Sequence, residues 1–346
     1  MNKDLLKLLD SIQKEDTPRK GTFSKHDNVL IIDGLNLFLR NFAVLNYVNQ
    51  DGVHVGGLGG FLRSLGSLIN NNKPTSVYII FDGIGSSQNR KNLLPEYKSG
   101  RNVRITNWDI FQNLDDEHDS KIDQIVRLIQ YLKCLPVKVI SIDKSEADDV
   151  ISHLSTTLDT KYNSRVVIVS SDKDFLQLVN DNITVYRPIE RDFYDTKTVI
   201  DKFGVPPHNF IFYKTLVGDS SDKVSGVKGI GSKSALKKFP ELAGDRIELQ
   251  DIYDLSVKRL KEGVVYARIL HDWTSVKNHY KIMDLGCPLL DEKEKEFINN
   301  KIKEKIASLR VLDFLTLYNE DGLNHIIKNT EFWVKDTFAN LKIYDA

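Results

Sequence analysis

Cysteine is almost missing from this chain: Cys134 and Cys287 are the only two among 346 residues, each in an apolar stretch. That excludes a disulfide framework and any thiolate metal site. It fits a reducing cytoplasm. Long apolar runs are missing too. None reaches the roughly 18 residues of a membrane span, so no membrane contact is expected. The first residues, MNKDLLKLLDSIQKEDTPRKG, are charged and amphipathic and lack the apolar centre of a signal peptide. Net charge is absent as well, with 48 Lys and Arg against 48 Asp and Glu. The balance argues against a uniformly basic surface, but a sum can hide segregation. The eight histidines form no pair at ligand spacing, which leaves them structural or surface roles. No internal repeat or low-complexity segment is visible.

What is present is an ordinary globular composition, 41% hydrophobic and 28% charged. The length allows about two or three domains. Residues 1–27 read as an amphipathic extension ending in a polar linker. From residue 28 strands alternate with helices. Candidate strands are Asn28–Ile32, Ser76–Phe81, Val137–Ile142, Arg165–Ser170 and Ile183–Tyr186; candidate helices are Gly59–Asn70, Lys121–Cys134 and Glu146 to about Leu158. This alternation predicts an α/β fold over 28–200 with a mainly parallel sheet flanked by helices. Residues 86–118 interrupt it with a long, polar, basic connection, and such connections are usually functional. From residue 201 the pattern turns helical. Residues 201–290 form one expected helical unit and residues 291–346 a last helical region.

Nine carboxylates carry the strongest signal. They are Asp33 in VLIIDG, Asp82 in YIIFDG, Glu146, Asp148 and Asp149 in SEADD, Asp172 and Asp174 in SSDKDF, and Asp219 and Asp222 in GDSSD. An apolar run ending in Asp reads as a buried strand with an acid at its carboxyl end. In open α/β sheets those ends meet at one crevice. Each cluster has a plain alternative: Ser145 and its acids suit a helix start, and Asp-Gly suits a turn. All being plain at once is far less probable than any one. Like charges about 4 Å apart repel by roughly 1 kcal/mol even in water. The pool therefore predicts divalent cations, and oxygen-only donors select Mg²⁺ or Mn²⁺ over zinc.

Two basic segments complete the pattern. Residues 86–104 carry Arg90, Lys91, Lys98, Arg101 and Arg104 against one acid, Glu96, with Tyr97 among them. Cations interleaved with an aromatic suit single-stranded nucleic acid. Gly226-Val227-Lys228-Gly229-Ile230-Gly231-Ser232-Lys233-Ser234 is not a P-loop, because Ser232 separates Gly231 from Lys233 and no strand precedes it. It reads instead as a tight turn between two helices. Its N–H groups and the start of SKSALKKF would hold phosphate, helped by Lys223, Lys228, Lys233, Lys237 and Lys238. Gly56, Gly57, Gly59 and Gly60 read as close packing at a helix start.

In this order, Asp33, Asp82, YKSGR, EADD, SDKDF, GDSSD and GVKGIG resemble the 5′-nuclease family of flap endonucleases, polymerase-linked 5′-exonucleases and stand-alone phage 5′-exonucleases. The resemblance spans roughly residues 28–290. It implies a PIN-like nuclease core with a helical arch at about 86–118 and a helix–hairpin–helix domain at 201–290. It implies two Mg²⁺ ions, with Asp33, Asp82, Glu146 and Asp148 around one. Asp149, Asp172, Asp174, Asp219 and Asp222 would serve the second or its water shell. Lys98 and Arg90 would grip the scissile phosphate, Tyr97 would stack an unpaired base, and Arg101 would sit on the nucleic acid. Lys228, Gly229, Gly231, Lys233 and Lys237 would hold the duplex, with K⁺ as a candidate ion at Gly226–Gly231.

The expected activity is two-metal 5′-3′ exonuclease and 5′-flap endonuclease cleavage of branched or nicked DNA and RNA–DNA hybrids, as in primer removal. The expectation is a free-standing monomer of the phage ribonuclease H type in the host cytoplasm. Its tail is a candidate dock for a single-strand binding protein or sliding clamp. Two rivals are a PIN-type ribonuclease, which would lack the glycine turn and basic arch, and a non-catalytic DNA-junction binder, which would have lost its carboxylates.

Overall fold

Asn28–Asp33 (β1) buries every residue after its first, which only a strand covered on both faces can do. Ser76–Asp82 (β2), Lys138–Ile142 (β3), Arg165–Val169 (β4) and Ile183–Arg187 (β5) join it, with the edge strand Asp192–Tyr194 (β6). The order is β3-β2-β1-β4-β5-β6. All neighbours run parallel except β5 and β6. The computed structural model describes residues 24–100, 104–339 and 341. Arg101 and most of the 1–27 extension therefore lie outside the described residues. Among the described residues no helix is long and apolar enough to cross a membrane.

Alternate strand residues feed two cores. Val29, Ile31, Tyr78, Ile80, Val166 and Ile168 face one side. Helices Ala147–Tyr162 (α5) and Pro207–Val217 (α7) cover that side. Leu30, Ile32, Val77 and Ile79 face the other, under Gly56–Asn72 (α2) and Leu114–Leu132 (α4). Each buried aliphatic chain contributes roughly 1.5–3 kcal/mol, so both faces hold the sheet.

The ends of the helices are set locally. Asp33 caps the helix Gly34–Val44 (α1), accepting from the Asn36 N–H; the sequence reading contained no such helix. α5 follows Glu146 at its N-cap and carries Asp148 and Asp149 in its first turn, where carboxylates suit the helix dipole. It ends on Asn163 at φ 52°, a left-handed cap. Among the described residues of the 86–118 connection only Gln88–Leu93 (α3) and the start of α4 are helical. Its far end is pinned by Glu117, 1% exposed. Glu117 Oε1 accepts from the Thr106 N–H, the Thr106 hydroxyl and the Asn107 N–H.

The 201–290 stretch departs from its expected form. After Thr196–Phe203 (α6) and α7, the chain makes a small hairpin, Gly218–Asp219 (β7) with Val224–Ser225 (β8). Gly218 has φ 82°, and a Cβ on it would lie 2.2 Å from the Gly226 nitrogen, so the hairpin closes only on glycine. The glycine turn thus follows a strand, and the helix after it is one turn, Ala235–Lys238 (α8). Leu249–Lys258 (α9), Val264–His271 (α10) and Trp273–Met283 (α11) complete this unit.

The helices between residues 292 and 338 divide between the faces. Glu292–Lys303 (α12) packs on α5. Val311–Glu320 (α13) and Thr330–Phe338 (α14) cover α2 and α4 on the opposite side, burying Phe314, Tyr318, Val334 and Phe338. A Cβ at Gly66 would lie 2.5 Å from the Trp333 ring and one at Gly59 2.3 Å from Ile326. Gly59 and Gly66 thus let the C-terminal segment approach α2, while Gly57 and Gly60 let α1 approach, through Phe38 and Asn41.

Candidate active site

The carboxyl ends of β1, β2 and β4 and the loop after β3 bring the acids to one crevice, beside the β1/β4 switch in strand order. Asp33 closes β1. Its Oδ1 accepts from Asn36 N at 3.0 Å and its Oδ2 from the Ser170 hydroxyl at 3.0 Å. Asp82 closes β2, and its Oδ1 accepts from the Ala147 N–H at 2.8 Å. Asp172 accepts from the Asp174 N–H at 2.8 Å, while Ser170 Oγ accepts from the Asp172 N–H at 3.1 Å.

The acids sense one another. Burial, then the charges of Asp82 and Asp172, push the Asp33 carboxyl up to about 7 against the Asn36 bond. Burial, then Asp172, Asp33 and Glu146, hold Asp148 well above the ordinary carboxylate range, against Lys98. Burial and Asp172 push Asp174 up to about 7. Among the described residues no three such side chains are drawn together tightly enough to hold a metal ion as they stand.

Glu146 is the hub of one half. It is 1% exposed. Its Oε2 receives Lys98 Nζ at 2.8 Å, the Tyr97 hydroxyl at 3.1 Å and Arg90 Nη1 at 3.3 Å. Its Oε1 is buried with no hydrogen-bond partner. Burial works against the Lys98 charge, but Asp148 and Glu146 outweigh it and hold the ammonium above its ordinary value. The Lys98 N–H donates to the Asp222 carbonyl at 3.0 Å, which ties the 86–118 connection to the β7–β8 hairpin.

The structure places three of the expected site residues in fixed contacts. Arg90 is 3% exposed. It grips Asp149 through two nitrogens, at 2.5 and 3.1 Å, and gives Nε to the Ile282 carbonyl at 2.9 Å. A guanidinium so committed holds the fold together rather than a phosphate. Asp149 faces Arg90 and the Leu289 N–H. Tyr97 is 2% exposed with its hydroxyl on Glu146, so no open ring face is left for a base.

The other half is organised by a residue that the sequence reading passed over. Lys214, on α7, contacts Asp174 and lies 2.5 Å from Asp219 Oδ2. One ammonium cannot neutralise both acids. Although burial opposes it, Lys214 and Ser221 hold Asp219 below the usual range, while Asp174 stays high. Asn36 and Arg187 were missed too: Asn36 Oδ1 accepts from the Ser171 N–H at 3.0 Å, and Arg187 donates to the Ser171 carbonyl at 2.8 Å. They hold the Ser170–Asp172 loop. No local pattern marks them, because their partners are remote in sequence.

In the glycine turn, Lys228, Gly229, Gly231, Lys233 and Lys237 are exposed. The Lys228 carbonyl accepts from Arg268 at 2.8 Å and the Gly231 N–H donates to Ser234 at 2.9 Å.

A mainly parallel sheet with acids at its carboxyl ends, flanked by helices, defines an α/β nuclease-like architecture. Residues 28–204 match the N-terminal resolvase-like domain of 5′-3′ exonucleases. The chain is 33% identical over 289 residues to a 5′-3′ exonuclease of Aquifex aeolicus, covering 82% of this chain and 93% of that protein. It is 34% identical over 244 residues to flap endonuclease Xni of Shewanella halifaxensis, covering 69% and 89%. The fold is similar to that of the bacteriophage T5 D15 flap endonuclease, solved as a complex with DNA and metal ions, at TM-score 0.61 and 18% identity over 91% of this chain and 99% of that one. The chain belongs to the 5′-3′ exonuclease family.

Proposed function

We propose that this chain is a divalent-cation-dependent 5′ nuclease that hydrolyses phosphodiester bonds near 5′ ends and flaps of DNA, including RNA-primed DNA. One observation carries it: a buried, unpartnered Glu146 oxygen among carboxylates that raise one another's pKa. The donors are all oxygen, which suits Mg²⁺ or Mn²⁺. Asp33, Asp82, Glu146, Asp148 and Asp172 would hold one ion. Asp174, Asp219 and Asp222 would serve a second position. A bound divalent cation supplies a more acidic water and charge compensation at the leaving oxygen.

The chain's own groups do the rest. Lys98 Nζ has spare donors beyond its Glu146 bond and stands where phosphate charge develops. Arg90 and Tyr97 act as positioning residues, fixing Glu146. Lys228, Lys233 and Lys237 offer exposed charge to a duplex backbone, and a K⁺ at Gly226–Gly231 belongs to the same proposal. A groove of about 510 Å³ along α1 and α2 adds Arg40, Arg63 and Arg191 with no acid in its lining.

The test is cleavage of a labelled 5′-flap duplex and an RNA-primed duplex, in Mg²⁺ and in chelator. Products with 5′ phosphate and 3′ hydroxyl in Mg²⁺ alone are expected. Turnover in chelator, or none on either substrate, would overturn the reading.

A further inference from the structure

Lys214 makes the two halves of the crevice unlike. Its side chain is 8% exposed. The ammonium sits between Asp174 and Asp219, one acid from the turn after β4 and one from the β7–β8 hairpin. Burial opposes its charge, yet Asp174, Asp172 and Asp219 together hold it well above the ordinary lysine value. The contact is anchored on every side. Asp174 is tied through its N–H to Asp172, and Asp219 Oδ1 accepts from the Ser221 N–H and hydroxyl at 2.8 and 2.5 Å. Lys214 itself rises from the last turns of α7, whose residues 209–216 are all buried. Across the crevice Lys98 and Arg90 both sit on Glu146 Oε2, which leaves the Oε1 oxygen without a partner.

We propose that Lys214 is an internal cation that competes with a divalent ion for the Asp174–Asp219 pair, so that this chain fills its two acid groups unequally. The inference rests on the metal reading above. An ammonium is a compact point charge with rotatable donors. It satisfies a carboxylate pair much as a small ion would, and a buried ammonium stripped of its partners is costly. A divalent ion at Asp174–Asp219 must therefore turn Lys214 out or share the acids with it. The Asp33–Glu146–Asp148 group loads first, and the second group loads only at higher ion concentration.

The test uses the full chain stripped of metal and titrated with Mn²⁺, with free Mn²⁺ read by electron paramagnetic resonance. Wild type should bind one ion tightly and a second about tenfold or more weakly. Lys214→Met should narrow that gap by about tenfold. Two ions of equal affinity in wild type would overturn the inference alone, as would a second affinity unchanged in Lys214→Met. No Mn²⁺ binding at all would overturn it together with the metal reading. Should Lys214→Met fail to fold without metal, Lys214→Gln and thermal melting serve instead. Mn²⁺ should then raise the melting temperature more in the variant than in wild type, and an equal or smaller rise would overturn the proposal.

Discussion

The two halves of the acid crevice neutralise buried charge by different chemistry. Beside α3 the cation is Arg90, which meets Asp149 through two nitrogens and a main-chain carbonyl through the third. Beside α7 it is Lys214, which meets each acid at a single point. A planar fork fixes geometry, whereas an ammonium on a flexible stem can be moved. The arginine is fixed in the scaffold, whereas Lys98 and Lys214 hold their acids by single contacts, the kind that the function proposed above needs to be exchangeable. The comparison teaches that burial and opposite charge alone do not mark a catalytic base or ligand; the valence of the contact does.

The largest expected effect lies with the acids. Asp33→Asn keeps an oxygen for the α1 cap but loses the charge, and should lower cleavage by about 10³-fold or more while DNA affinity changes little. Single-turnover kinetics and a binding titration in Ca²⁺ would check both. Next comes Arg90→Ala. It leaves Asp149 buried and unpaired, and should cost about 3–5 kcal/mol in denaturant unfolding. A loss of activity without a loss of stability would break the comparison. Lys98→Met should do the reverse, lowering the single-turnover rate by about 10²-fold. Its stability cost should be no more than about 1 kcal/mol, because Arg90 and Tyr97 still reach Glu146.

The smallest effect concerns an acid outside the crevice. Burial opposes the Glu117 charge, but Lys121, Thr106 and Asn107 hold its carboxyl down at about 2. Its folded value is depressed, so its stabilisation is present above the ordinary value of 4.5 and is lost as pH falls through about 2. Glu117→Gln should cost about 1–3 kcal/mol at pH 7, and the difference from wild type should shrink on acidification. A constant difference from pH 7 to pH 2 would show that Glu117 acts by shape alone.

The acids were legible because a strand followed by Asp is a local pattern, and Asp33, Asp82 and Asp172 lie where that pattern places them. The parallel sheet was legible for the same reason. What escaped was pairing at a distance. Arg90 and Asp149 are 59 residues apart, and nothing near either says that they meet. Tyr97 among cations looked like a stacking ring, yet its surroundings in space are Glu146 and Lys98. Lys214 resembles any polar residue on a helix until Asp174 arrives from another element. The glycine turn was misread as lying between helices because the two-residue strands before it are too short to show alternation. An amphipathic tail does not reveal which face of a sheet it will cover, so the split of α12 from α13 and α14 was unreadable.

That split bears on how a copy of this molecule is made. The surface of Leu65, Leu128 and Tyr131 waits for α13 and α14, and Gly66 waits for Trp333. Until the ribosome has released those helices, one side of the sheet stays wet and adhesive, the condition in which nascent chains clump. The strands that aim the acids are thus clamped only after α13 and α14 have emerged, and until then the acids stand on a frame not yet closed.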